Sequence, residues 1–266
     1  MESKKTNLTH LKIINLISLI LVLVVNFLAN YLPINGYNTG ELSDMYPNLF
    51  VPAGITFSIW GVIYLLLTIF IVYQFIPMKD KNEIKESVIK KIGYLFFISS
   101  LLNAAWILTW HYLYVFLSLV VMVGLLLTLI AIYNKLQIGI KKYSKKIYTV
   151  FILPFSIYLG WITVATIANV TAWLVDINWN GFGFGDVFWT VLVIIVGLII
   201  TLLTLLKRKD AAFSIVIVWA YLGIIIKRYF QSADPIMSIV YVTSVSIVII
   251  LISIANIYAR KTDKEE

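Results

Sequence analysis

Residues 114–134 read YVFLSLVVMVGLLLTLIAIYN. The run carries no charge, is as long as a helix, and lacks the alternation of a barrel strand. A spanning helix takes about 20 mostly apolar residues, and in lipid only helices and closed barrels satisfy their own backbone. Working outward from this run, further stretches of the same character fall at 11–31, 52–76, 93–111, 148–174, 187–206, 211–226 and 236–258. The expected fold is all-α, a polytopic transmembrane helical bundle of about eight spans.

Composition agrees. Of 266 residues, 61% are hydrophobic and 13% charged, with a mean hydropathy of +0.94. A soluble domain has about 45–50% apolar and about 25% charged residues, so a cytosolic enzyme and a secreted domain are excluded. The formal charge of +8 does not signal nucleic acid, because in a membrane protein the basic excess gathers in cytoplasmic loops. No cysteine is present, which removes disulfides and thiolate chemistry. His10 and His111 are the two histidines, too few for a histidine metal cluster.

The basic residues also orient the chain. Lys4, Lys5 and Lys12 open the first span; Lys79, Lys81, Lys85, Lys90 and Lys91 follow the second. Lys135, Lys141, Lys142, Lys145 and Lys146 follow the fourth, Lys207, Arg208 and Lys209 the sixth, and Arg260, Lys261 and Lys264 the eighth. Alternate links carry Glu41, Asp44, Asp176, Asp186 and Asp234. Lys227 and Arg228 break the pattern and are read as snorkelling to the interface. Both termini are expected in the cytoplasm of a bacterial cell, with the first run retained as a helix, since it is too long for a signal-peptide core.

No acidic residue, lysine or arginine lies mid-span, which argues against proton relays and voltage sensors. The spans instead hold asparagine and tryptophan at helical spacing. Asn26 and Asn30 are one turn apart, as are Trp60 and Tyr64; Asn103, Trp106 and Trp110 share a face. Tyr158, Trp161, Ala165, Asn169 and Trp173 run along one stripe. Trp110, Trp173, Trp179 and Trp189 lie near predicted helix ends and read as interfacial belt residues, with His111 an interfacial histidine. Trp60, Trp106 and Trp161 lie deeper. Amides and indoles carry donors that in lipid should turn inward, in the ordinary case to bond a neighbouring helix.

At these residues the chain resembles the tryptophan-rich sensory protein / translocator protein family (TspO/MBR, the peripheral-type benzodiazepine receptors). PAGITFSIWGVIY places Pro52, Trp60 and Tyr64 in the register of the family's second helix. Leu-Asn-Ala-Ala-Trp of its third stands letter for letter as Leu102 to Trp106. Tyr-x-x-Trp-x-x-x-Ala-x-x-x-Asn of its fifth is matched by Tyr158, Trp161, Ala165 and Asn169. The family's paired prolines are reduced to Pro52, and Gly54 stands where it has tryptophan. The likeness covers about residues 11–175 of the chain. It divides the chain into a five-helix bundle, 1–175, and a three-helix extension, 176–266.

The resemblance implies a pocket in the five-helix half, closed by the 32–51 link with Gly36 and Gly40 as pivots. Its ligand-binding candidates are Asn26, Asn30, Trp60, Tyr64, Asn103, Trp106, Tyr158, Trp161 and Asn169. It also implies a flat apolar ligand such as a tetrapyrrole, protoporphyrin or haem, in a receptor or sensor that requires no cofactor. No methionine, histidine or cysteine is placed as an axial ligand, so iron coordination is not expected. Paired carboxylates and a Ser/His/Asp arrangement are missing from the spans, and a non-enzymatic protein is expected. A passive small-molecule carrier is the alternative. The partners expected are the lipid bilayer and a small aromatic ligand, with homodimer formation open and no nucleic acid.

Overall fold

The computed structural model describes residues 2–32, 34–78 and 81–262, with side-chain surroundings between 8 and 259. Lys79 and Lys264 lie outside the described residues, as do the side chains of Lys4, Lys5, Arg260 and Lys261. Every regular element among the described residues is helical. The long helices are α1 (Glu2–Tyr31), α3 (Ile59–Phe75), α5 (Leu95–His111), α6 (Val115–Lys135), α7 (Lys145–Asp176), α8 (Asp186–Arg208), α9 (Ala211–Phe230) and α10 (Met237–Thr262). Two shorter ones, α2 (Thr39–Asp44) and α4 (Asn82–Ile92), lie in the first and second links. Seven helices are long and apolar enough to cross a membrane. With the 17 residues of α5, long enough at ~1.5 Å each to span a thin bilayer, they make the eight-span bundle.

Five of these helices close a ring: α1 packs on α5, α5 on α6, α6 on α7, α7 on α3, and α3 back on α1. Its polarity is inside-out. Leu65, Leu127 and Phe116 face outward, while Asn15, Ser18, Asn103, Ser118, Ser156 and Asn169 are buried. Small polar groups hold transmembrane helices together because lipid gives them no other partner.

The last three helices form a second group, α8 and α10 packing on each other and on α9, which lies against α7. Glycines set that seam. A Cβ at Gly160 of α7 would stand 3.0 Å from both the Phe213 carbonyl and Val216 Cβ of α9. One at Gly197 of α8 would fall 2.5 Å from the Tyr221 hydroxyl, which donates to the Ile194 carbonyl at 2.6 Å. At the basic end Asp210 caps α9, accepting from the Ala212 and Phe213 amides and from the Tyr133 and Ser156 hydroxyls.

The third span keeps its expected place as α5; in the link before it, Gly93 at φ 53° ends the amphipathic α4, and α5 leaves at a 51° bend. Two boundaries differ from expectation for local reasons. The fifth begins at Lys145, because a π-helical turn at Tyr148–Ile152 accommodates Pro154, whose ring removes a donor and crowds the preceding turn. The seventh runs to Phe230 rather than 226, so Lys227 and Arg228 lie within its last turn.

Candidate functional site

Four indoles meet near the end of the ring that the 32–51 link covers. Trp60, at the start of α3, stacks on Trp106 of α5 with ring centres 6.1 Å apart and 26° between planes. It meets Trp161 of α7 edge-on at 6.2 Å and 85°. Trp106 in turn stacks on Trp110 one helical turn along, at 6.4 Å and 16°. Offset and edge-to-face arrangements of this kind are the favourable ones for aromatic rings. Between them lies a chamber whose other walls are Thr39, Ser43, Val51, Pro52, Phe57 and the small-residue face of α7 from Val164 to Ala172. The room open to the centre of a water-sized sphere is about 50 Å³.

Asn169 fixes the far wall. Its carbonyl oxygen accepts from Trp106 Nε1 at 3.0 Å, and its amide donates to Ser118 Oγ at 3.0 Å. Trp161 differs: its indole Nε1 is buried and has no hydrogen-bond partner. A buried donor left alone forfeits about 1–3 kcal/mol of solvation, so this N–H is the natural contact for an acceptor brought into the chamber.

The nine candidates therefore separate. Trp60, Trp106, Trp161 and Asn169 line the chamber. Asn26, Asn103 and Tyr158 form a relay across α1, α5 and α7: Asn26 Nδ2 donates to Asn103 Oδ1 at 2.8 Å, and Asn103 Nδ2 to the Tyr158 hydroxyl at 2.9 Å. Every amide in that relay is occupied by a neighbouring helix. Tyr64 stacks on Trp60 at 5.5 Å, and its buried hydroxyl has no partner. Asn30 is exposed and donates to the Asn26 carbonyl of its own helix at 2.9 Å. Asn26, Asn30, Tyr64 and the outer face of Trp60 line instead a groove between α1 and α3.

Two residues read as interfacial are parts of the site. Trp110 is 6% exposed and lines the chamber; it shares the inward face of α5 with Asn103 and Trp106, and the link covers its end of the helix. His111 is fully buried. Its Nδ1 lies 3.1 Å from the Ile34 carbonyl and its Nε2 3.2 Å from Thr39 Oγ1, while Asn35 Nδ2 donates to its carbonyl. A carbonyl only accepts, so Nδ1 carries the proton, and the ring ties the start of the link to α5. Beyond it α2 is a capped helix. Asn38 accepts from the Gly40 and Glu41 amides, and Glu41 accepts from the Asn38 amide. Gly40 is thus inside a helix and is no pivot, whereas Gly36 makes its turn at φ 84°. Tyr46 of the same link packs on Trp110 at 5.6 Å, and burial, aided by the Asp176 charge, raises its phenol above the usual range.

The basic pair expected to snorkel does something else. Lys227 Nζ lies 2.7 Å from Asp44 Oδ1. Arg228 donates to the carbonyls of Asn48 at 2.7 Å, Leu49 at 3.0 Å and Val51 at 3.4 Å. Their place on the acidic side of the bundle follows from these partners. Trp219 also reaches the five-helix ring, donating to the Thr56 carbonyl at 2.9 Å.

Neither a curated protein nor a solved structure matches the chain. The family model described as TSPO-like protein matches residues 12–256, running through the tryptophan- and asparagine-bearing helices and on across the last three. That match takes in nearly the whole bundle, and the chain belongs to the TSPO-like family.

Proposed function

We propose that this multi-pass membrane protein is a ligand-binding receptor or sensor that takes a flat apolar ring system, such as a tetrapyrrole, into the indole-lined chamber. The observation that carries the reading is the Trp161 N–H, buried without a partner in a wall of stacked aromatic faces. Aromatic faces suit a planar apolar ligand, and a few polar groups suffice to fix its orientation. The chamber lining holds no carboxylate, histidine, methionine or cysteine. A free-base porphyrin therefore suits it better than a haem needing an axial ligand, and binding without catalysis suits it better than acid–base chemistry.

The chamber is narrow, so a ligand of this size enters only when Trp60 or the link moves. Titration with protoporphyrin should quench tryptophan fluorescence. The double variant Trp161→Phe, Asn169→Ala should weaken that binding by about tenfold or more, as expected for losing one or two polar contacts. Equal affinity of parent and variant would defeat the assignment.

A passive carrier is the second reading, favoured by one feature. Trp60 lines both the chamber and the groove of about 610 Å³ between α1 and α3, so one ring separates the interior from the lipid side. Faster protoporphyrin flux through Trp60→Ala than through parent protein in proteoliposomes would support it; equal flux would leave binding alone.

A further inference from the structure

The segment 48–56 walls the chamber with Val51 and Pro52, yet much of its backbone is bonded to a helix outside the ring. Asn48 satisfies the Phe50 and Val51 amides with its own side chain. The Thr56 amide bonds the Ala53 carbonyl within the segment, and five further backbone groups are bonded to α9. The Arg228 guanidinium donates to the carbonyls of Asn48, Leu49 and Val51. The Ala53 amide donates to the Gly223 carbonyl at 3.0 Å, and the Thr56 carbonyl accepts from Trp219. Trp219, Gly223 and Lys227 are each four residues apart, so one face of α9 is turned to this segment. The approach depends on Gly223 having no side chain: a Cβ there would stand 2.0 Å from Thr56 Oγ1 and 2.9 Å from Pro52 Cβ.

We propose that α9, held within the C-terminal group of helices, anchors this wall of the ligand chamber, with Arg228 as the positioning residue that sets how readily the wall opens. Bonding three carbonyls at once needs the planar, multi-donor guanidinium; a lysine ammonium is a compact point charge on a flexible stem. The Lys227–Asp44 pair ties α2 to the same helix, more weakly because Asp44 is exposed. The proposal rests on the chamber being a ligand site for its consequence, but not for its mechanics.

The absence of cysteine makes the mechanics measurable without any ligand. Ala53→Cys places a single thiol at a fully buried position, reachable by a membrane-impermeant maleimide only when the segment leaves α9. Adding Arg228→Gln should speed labelling by about tenfold or more, given the worth of hydrogen bonds to a charged group. Arg228→Lys should label nearly as fast as Arg228→Gln, and Lys227→Ala about twofold faster than the parent. Gly223→Ala, which pushes on the segment sterically, should accelerate labelling even if Arg228→Gln proves too unstable to extract. Labelling of Arg228→Gln or Gly223→Ala at the parent rate overturns the proposal. With protoporphyrin, stopped-flow quenching should show association and dissociation both faster in Arg228→Gln; a change in dissociation alone would mark a lost contact and not a loosened wall. Failure of the parent to bind protoporphyrin would count against the porphyrin reading, while the thiol rates would still decide the anchor.

Discussion

At Asn169 a single amide holds two helices to a third. It accepts from Trp106 of α5 and donates to Ser118 of α6, so Asn169→Ala strands an indole N–H and frees a hydroxyl. The expected loss is about 1 kcal/mol, since interhelical hydrogen bonds in membranes average about 0.6 and reach about 1.7 kcal/mol, measurable by unfolding in detergent. Trp161→Phe behaves in the opposite sense. Its N–H has no partner, so removing the donor while keeping an aromatic ring should leave unliganded stability unchanged within about 1 kcal/mol. A variant that loses ligand without losing stability distinguishes a site from a core. This difference between two residues on one stripe could not be read from the sequence. Spacing shows that both face inward, but which of two inward donors finds an acceptor depends on residues of other helices. Trp110 was obscured for a related reason: its position near a helix end suggests the interface, and only the folded link, packing Tyr46 against it, makes that end interior.

At the scale of an element, the spans were legible because each is a long apolar run bounded by charge, and lipid allows the backbone few alternatives. What charge bounds, charge also hides. The amphipathic α4 carries Lys85, Lys90 and Lys91 yet buries Val88, Ile89 and Ile92, so its basic content reads as a link. The seventh span stops short in the sequence because Lys227 and Arg228 look like its end, although their hydrogen bonds to the link let the helix continue past them. Packing between elements is set by single small residues. Gly160→Val should separate α7 from α9, where even a Cβ would stand 3.0 Å from the Phe213 carbonyl, and lower stability by about 1–3 kcal/mol, the usual range for overpacking. Gly61→Ala, with nothing within 4 Å of its Cβ position, is the control and should be neutral or slightly stabilising in its helix. Thermal unfolding of both in one detergent separates crowding from helix propensity.

Over the whole molecule, two groups of helices share one wall. The five-helix ring supplies the indoles, and α9 holds the segment that closes them in, so the motifs that identify the site lie in one part of the chain and its anchor in the other. The family match across residues 12–256 agrees with treating them as one structure. Topology then becomes a test of the charge argument as a whole. With eight spans the termini lie on the same side, and the excess of lysine on that side leads to the expectation that it faces the cytoplasm. The Lys227–Arg228 pair is the one strong exception, and its partners Asp44 and the carbonyls of Asn48, Leu49 and Val51 lie on the opposite side. In the cysteine-free chain, Ala233→Cys, exposed beyond the end of α9, should react with an impermeant maleimide in intact cells. Ser87→Cys, exposed on α4, should react only after the membrane is opened. Reversal of the two would invert the bundle, putting the 32–51 link on the cytoplasmic side. Protection of both in intact cells would mean that one of the helices between them does not cross, α5 with its 17 residues being the shortest, leaving seven spans.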